Sequence, residues 1–389
     1  MTPPVKKERD VRLDFFRGLT MFIIFVAHGP DNPWNNWIPA RFGFSSGAEL
    51  FVFCSGFASS IAFGAIFLRC GILLGTMRIA YRCWQVYWAH ICVFLATIAL
   101  VIIAHSLWPN GGFQDEPFGE LFADPMRGLL GMLTLTYLPA YLDILPMYLI
   151  ILAMIPVIMA LRRLHPALPF LFVAASYLSA WFLGVKLVGN PWTGFGWFFN
   201  PFAWQLIFFC GFFFGSGWIK PPPFGNRPLV IICLAFLVVS VPVNFWGFID
   251  NVWFFADIHM WLLADEEKSN LHILRVIHFL ALAYIVLTFV NPRRHQLNQG
   301  IGKIIIAVGR QSLAVFLVSI VSARAVSIAI KQGMGTPVEV AALNLAGFAL
   351  IIATAYVVTW IKSQPWSSPK RQPLPQEASN GVKLGSPAE

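Results

Sequence analysis

Charge is what this 389-residue chain has little of. Asp, Glu, Lys and Arg make up 12% of it, against about 25% in soluble domains, while 58% is hydrophobic and the mean hydropathy is +0.69. A water-soluble globule is thereby excluded, and a polytopic membrane protein is expected. Cysteine is sparse as well. The six cysteines (Cys54, Cys70, Cys83, Cys92, Cys210, Cys233) form no C-x-x-C pair and fall mostly in apolar stretches or at their ends. That excludes a disulfide framework or a thiolate metal centre and leaves small apolar packers. No metal-ligand spacing, no P-loop and no G-x-S-x-G occur, so no metal is expected. The net charge of +9 is spread over short loops rather than gathered on one face, so nucleic acid is not an expected partner. The first apolar segment lacks a small-residue cleavage site after it and is expected to persist as a helix. No internal repeat of the transporter kind is visible.

What is present is a series of ten apolar segments near 13–30, 47–68, 83–106, 142–161, 168–187, 201–219, 228–247, 271–290, 310–330 and 338–361. Each approaches the ~20 residues that a helix needs to cross a bilayer. The expected fold is an all-α bundle of about ten membrane helices. It would comprise a cytoplasmic segment 1–12, a membrane domain 13–362 and a disordered tail 363–389 rich in Pro, Ser and charge. The stretch 127–138 is apolar but short, which suits an interfacial or re-entrant piece. With the N-terminus inside, nineteen Lys and Arg fall on the inner side and six on the outer, with Arg17 and Arg324 inside spans. That bias places both termini in the cytoplasm. Acidic residues (Asp115, Glu116, Glu120, Asp124, Asp250, Asp257, Asp265, Glu266, Glu267) collect outside. So do Trp34, Trp37, Trp108, Trp192, Trp197, Trp246, Trp253 and Trp261. The tryptophans read either as an interfacial belt or as platforms for sugar rings.

The first segment carries Asp14, Arg17 and His28, and ionisable residues inside a span mark a functional site by default. Arg17 and His28 are separated by about three helical turns plus 20°, so they share a face, with roughly 16 Å between them along the axis. One face thus offers a cation near one surface and an imidazole near the other. His28 is either a core histidine bonded to a backbone carbonyl or a base. Glu49, at the start of the second segment, is its candidate orienting partner, with Asp31 as the alternative. Asp14 and Arg17 form either a structural pair or, through Arg17, an anion contact. Arg78 and Arg82, one turn apart, are either topology anchors or, with Arg17, a phosphate cluster to which Lys303 and Arg310 could add. Asp143 is either a helix cap ahead of Pro146 or a contact for an acceptor hydroxyl. Arg275, His278 and Arg324 are further candidates.

These residues sit in recognisable blocks. Arg17 to His28 (R-G-L-x8-H) resembles the first-helix motif of the membrane acyltransferase-3 superfamily. Gly47-Ala-Glu-Leu-Phe-Val-Phe-Cys-Ser-Gly-Phe57 resembles its second-helix block, and Arg78-Ile-Ala-Tyr-Arg82-Cys-Trp-Gln-Val-Tyr87-Trp88 its entry to the third helix. Asp10 to Leu19, Phe42 to Phe53 and Leu142 to Tyr148 look most like the OpgC family within it, whose named member succinylates osmoregulated periplasmic glucans. The chain departs from the wider superfamily after the third segment, where Leu-Asp-Ile-Leu-Pro-Met-Tyr148 stands in place of a glutamate-containing block.

The resemblance implies a bacterial inner-membrane O-acyltransferase. Acyl-coenzyme A, most simply succinyl-coenzyme A, would enter from the cytoplasm, and hydroxyls of a periplasmic glucan would accept the acyl group. Arg17, Arg78 and Arg82, with Asp14 and Tyr87 beside them, would serve the donor. His28 would be the base, with Glu49 and Asp143 at the same end. Direct transfer and an acyl-histidine are both open, as is homo-oligomerisation. For a succinyl carboxylate, Arg275, Arg324 and Lys186 are equivalent candidates. A transporter or flippase with charges lining its path is the rival reading.

Overall fold

The computed structural model describes residues 10–109, 111, 118–262 and 268–367. The charged residues Lys6, Lys7, Arg9, Asp115, Glu116, Asp265, Glu266, Glu267, Lys370, Arg371 and Lys383, and the tail from 368, lie outside them. The described residues form helices and loops, with one isolated bridge, Val188 to Gly196, and no strand. In chain order the helices are α1 (Val11–Ala27), α2 (Gly47–Ser59), α3 (Ala65–Leu107), α4 (Gly119–Ala123), α5 (Pro125–Thr134), α6 (Ile144–Leu164), α7 (Leu168–Phe182) and α8 (Pro201–Gly215). They continue with α9 (Arg227–Asn244), α10 (Trp246–Ile249), α11 (Trp253–Leu262), α12 (Ile273–Val290), α13 (Ile301–Arg310), α14 (Ser312–Lys331) and α15 (Pro337–Lys362).

A helix occupies each of the ten expected segments, but length sorts them. Among the described residues six helical runs are long and apolar enough to cross a membrane: Gly47–Leu107, Ile144–Leu164, Arg227–Asn244, Ile273–Asn298, Ser312–Lys331 and Pro337–Lys362. The first of these holds two expected segments. A π-turn at Ser60–Gly64 joins α2 to α3, and Gly71, at φ 84°, breaks α3 near its start, a backbone angle that costs glycine little. With 17 residues in α1 and 15 each in α7 and α8, these three fall short of a straight crossing. The segment expected from 310 is α14, and ahead of it lies a separate amphipathic helix, α13, outside the expected spans. α13 ends at Arg310, Gln311 leaves helical geometry, and α14 starts at Ser312.

Packing places α8 at the centre and α9 at the periphery. Trp204, Phe208, Phe209 and Phe212 in α8 are fully buried, whereas α9 buries only Cys233, Ser240 and Val243 and leaves Ile231, Ile232, Val238 and Val239 exposed. A helix apolar all round belongs inside. Two helix pairs touch backbone to backbone. A Cβ added to Gly56 would lie 1.8 Å from the Phe208 carbonyl of α8, and one added to Gly18 would lie 1.9 Å from the Ile305 carbonyl of α13. Small residues are what permit such approach between helices. The short α5 folds back along α3: Tyr87 Oη donates to the Leu133 carbonyl at 2.8 Å, some 30 Å along the helix from the end of α3. Leu135 turns that segment with φ 59°.

Candidate active site

α1 starts where Asp10 caps it. The Asp10 carboxylate accepts from the Arg12 backbone at 3.0 Å and from its guanidinium at 2.7 to 3.2 Å. Burial works to raise the Asp10 carboxyl, but the hydrogen bonds and charge of Arg12, with Arg294 beyond, hold it below the usual carboxylate range. One turn on, Asp14 is buried and faces Arg310 of α13 at 3.5 Å, forming an ion pair between α1 and α13. Gly309 lets this happen, because its missing side chain would otherwise meet the Asp14 carbonyl at 1.8 Å.

Arg17 projects into the bundle between α2 and the α13–α14 joint. Its Nη2 donates to Ser312 Oγ, its charge acts on Cys54, and its buried Nε has no hydrogen-bond partner among the described residues. A guanidinium in apolar surroundings with an unspent donor is suited to an anion. Arg78 and Arg82 are not bonded to Arg17. Arg78 is exposed and lies over the Tyr81 ring at 5.5 Å, and Arg82 reaches Gln85 at 3.1 Å. Tyr87, on the same helix, is spent on Leu133.

His28 caps the other end of α1. Its Nδ1 lies 2.7 Å from the Ile24 carbonyl, one turn back. A carbonyl can only accept, so Nδ1 carries the proton and the neutral ring presents an Nε2 lone pair. Two rings frame it: Tyr141 at 5.4 Å and Phe316 of α14 at 6.3 Å. Tyr141 sits at φ 73°, an unusual backbone angle for a tyrosine and of the kind held at functional sites. Asp143, two residues on, is buried and makes no side-chain cap bond to α6. Lys268 is close enough for its charge to act on both His28 and Asp143.

Glu49 does not orient His28. It is fully buried and both oxygens are taken. Oε2 accepts from the backbone and hydroxyl of Ser46 at 2.7 Å each, forming a capping box, and Oε1 accepts from Arg275 of α12 at 2.7 Å. The carbonyl of Ile24 holds the imidazole instead. His278, one turn beyond Arg275, meets Ser45 Oγ at 2.7 Å, so this pair of α12 residues pins the start of α2. Asp31 is likewise engaged, by Ser327 and by Lys331 at 3.8 Å.

Beside His28 lies a pocket of about 430 Å³ lined by Pro30, Glu120, Tyr137, Tyr141, Asn190 and Arg324 among others. Of the outer cations expected near a distal carboxylate, only Arg324 lines it. Arg275 is spent on Glu49, and Lys186 is exposed with its side chain against Gly196. Glu120 and Asn190 come from connections that no periodicity singles out, and only proximity in the fold could have joined them. His90 was equally invisible: it is 1% exposed in α3 with neither ring nitrogen bonded. Among the described residues no group of three metal-ligating side chains gathers. The whole arrangement suits proton transfer at one end of α1 and anion binding at the other.

A family described as OpgC protein matches residues 9–363, nearly the whole chain. Neither a curated protein nor a solved structure matches it.

Proposed function

The chain belongs to the OpgC family, and on that premise we propose that it is a membrane O-acyltransferase. It moves an acyl group, most simply succinyl, from cytoplasmic acyl-coenzyme A to hydroxyls of a periplasmic glucan across a bacterial inner membrane. The observation that carries the reading is His28. Its tautomer leaves Nε2 free to take a proton, and it stands at the opposite end of α1 from Arg17 and beside a polar pocket.

The chemistry follows from that layout. Nε2 takes the proton of a sugar hydroxyl as the oxygen attacks the thioester carbonyl. The carbon–sulfur bond breaks, the coenzyme leaves as thiolate, and the imidazolium returns the proton to it. The Ile24 carbonyl steadies the ring while it is cationic. Asp143, with Lys268 near it, is a further titratable group toward the His28 end of α1. Arg17, with Arg78 and Arg82 toward the cytoplasmic side, holds the donor's phosphates. Asp14 keeps Arg310 close to that cluster. Both termini lie in the cytoplasm.

Reconstituted protein supplied with acyl-coenzyme A on one side and glucan on the other tests the reading. His28→Ala is expected to lower ester formation by about 10² to 10⁴-fold, the usual worth of a positioned base, with the protein still folded. Full activity in that variant would remove His28 from the chemistry. Passage of unmodified glucan without any acyl donor would favour a transporter instead.

A further inference from the structure

We infer that the pocket formed by Glu120, Tyr137, Tyr141, Asn190 and Arg324 is a binding subsite for a neutral sugar ring, and that it presents one ring hydroxyl to His28. This rests on the acyltransferase reading for its purpose but not for its chemistry.

The lining decides the ligand class. One carboxylate and one guanidinium face the same space, so their charges offset and neither an anion nor a cation is favoured as a whole. Together with the phenols of Tyr137 and Tyr141 they line the space with groups of both hydrogen-bonding senses, which suits the hydroxyls of a sugar, since each hydroxyl both donates and accepts. At about 430 Å³ the space falls within the ~300–1,000 Å³ of small-molecule sites.

The lining is also fixed in place. Asn190 Oδ1 accepts from the backbones of Trp192 at 2.9 Å and Thr193 at 3.0 Å, which turns its Nδ2 onto Glu120 Oε2 at 2.7 Å. One Glu120 oxygen is thereby held and the carboxylate is fixed in the pocket wall. Arg127 ties down the same loop by donating to the Pro191 carbonyl at 2.7 Å and lying over Trp192 at 5.7 Å. Tyr137 is packed edge-on against Trp192 at 5.0 Å. Burial, with the Glu120 carboxylate beside it, pushes the Tyr137 phenol up to about 12, so it stays neutral.

The pocket reaches the proposed base. Tyr141 lines it with one side and stands 5.4 Å from the His28 ring, and Pro30 lines it two residues after His28. A ring seated against Tyr141 brings its rim to the imidazole.

The test uses the purified full chain in nanodiscs with a short neutral gluco-oligosaccharide, first by titration without donor and then as acceptor at saturating acyl-coenzyme A. Glu120→Gln and Arg324→Gln are each expected to weaken oligosaccharide binding and raise its KM roughly tenfold, the loss expected for a charge-assisted hydrogen bond, while the KM for the donor stays unchanged. Asn190→Ala is expected to act in the same direction through Glu120. Unchanged oligosaccharide affinity in Glu120→Gln and Arg324→Gln, both folded, would overturn the subsite. So would a change confined to the preference between succinyl and acetyl donors, which would assign Arg324 to the acyl carboxylate. If the wild type binds oligosaccharide, the variants lose it and no acyl group is ever transferred, the subsite stands and the acyltransferase reading falls.

Discussion

At the Arg17 end of α1, backbone lies on backbone. Gly18 and Gly309 bring α1 and α13 into direct contact, and Asp14 and Arg310 close an ion pair across the seam. At the His28 end the helix opens onto loops, where Tyr141 holds an unusual backbone angle and stands between the imidazole and a pocket. The first region resists movement and keeps one guanidinium donor unspent. The second keeps its neighbours apart and leaves room for a ligand. The proposed placing of a donor at one end and an acceptor at the other would use this difference, because tight packing at both ends would leave nowhere for the acceptor to bind.

The contrast has a third party, the buried pair Glu49–Arg275, which sits at the start of α2 on the His28 side yet is built like the rigid end. Removing one partner of a buried pair strands the other, so Arg275→Ala is expected to destabilise the fold by about 3–5 kcal/mol. The double variant Glu49→Gln with Arg275→Met is expected to recover most of that loss. Thermal unfolding of the purified protein in detergent measures both. Transfer per folded molecule should stay near wild type in the double variant. A large loss of transfer with unchanged unfolding would give Glu49 a part in the chemistry after all.

A smaller change separates the two ends functionally. Arg17→Gln is expected to raise the KM for acyl-coenzyme A about tenfold or more, the worth of a hydrogen bond to a charged group, and to make donor binding less sensitive to salt. The KM for glucan should not move. Should both constants rise together, the ends of α1 would not be the separate sites described above.

Apolar composition made α1 legible, because the helix depends only on residues within one segment. Contacts between helices were not legible in the same way. Glu49 finds Arg275, 226 positions away, because α12 happens to pass the start of α2, and an apolar span carries little mark of which span it touches. The helix α13 was hidden because Ile301–Arg310 is short and carries Lys303 and Arg310, so it reads as part of the inner loop ahead of α14. The pocket was hidden for the opposite reason. Glu120 and Asn190 stand in short helices and loops, whose residues follow no period.

The weakest expected effect lies at the very start of α1 and tests how far the rigid end extends. Asp10 caps the helix, and Asp10→Asn keeps the cap geometry but gives up the charge that Arg12 pairs with, whereas Asp10→Ala gives up both. Loss of a cap costs about 1 kcal/mol, so Asp10→Ala is expected to lower stability by that amount and Asp10→Asn by less. The sign of the pH dependence follows from the lowered carboxyl. Its contribution is present above the ordinary value of 3.8 and is lost as pH falls through the lower folded value. Unfolding midpoints of wild type and Asp10→Asn should therefore separate above the ordinary value of 3.8 and converge as pH falls through the lower folded value. If they stay parallel through that range, the Asp10–Arg12 pair adds nothing to the fold, and the rigid end of α1 begins only where Asp14 meets α13.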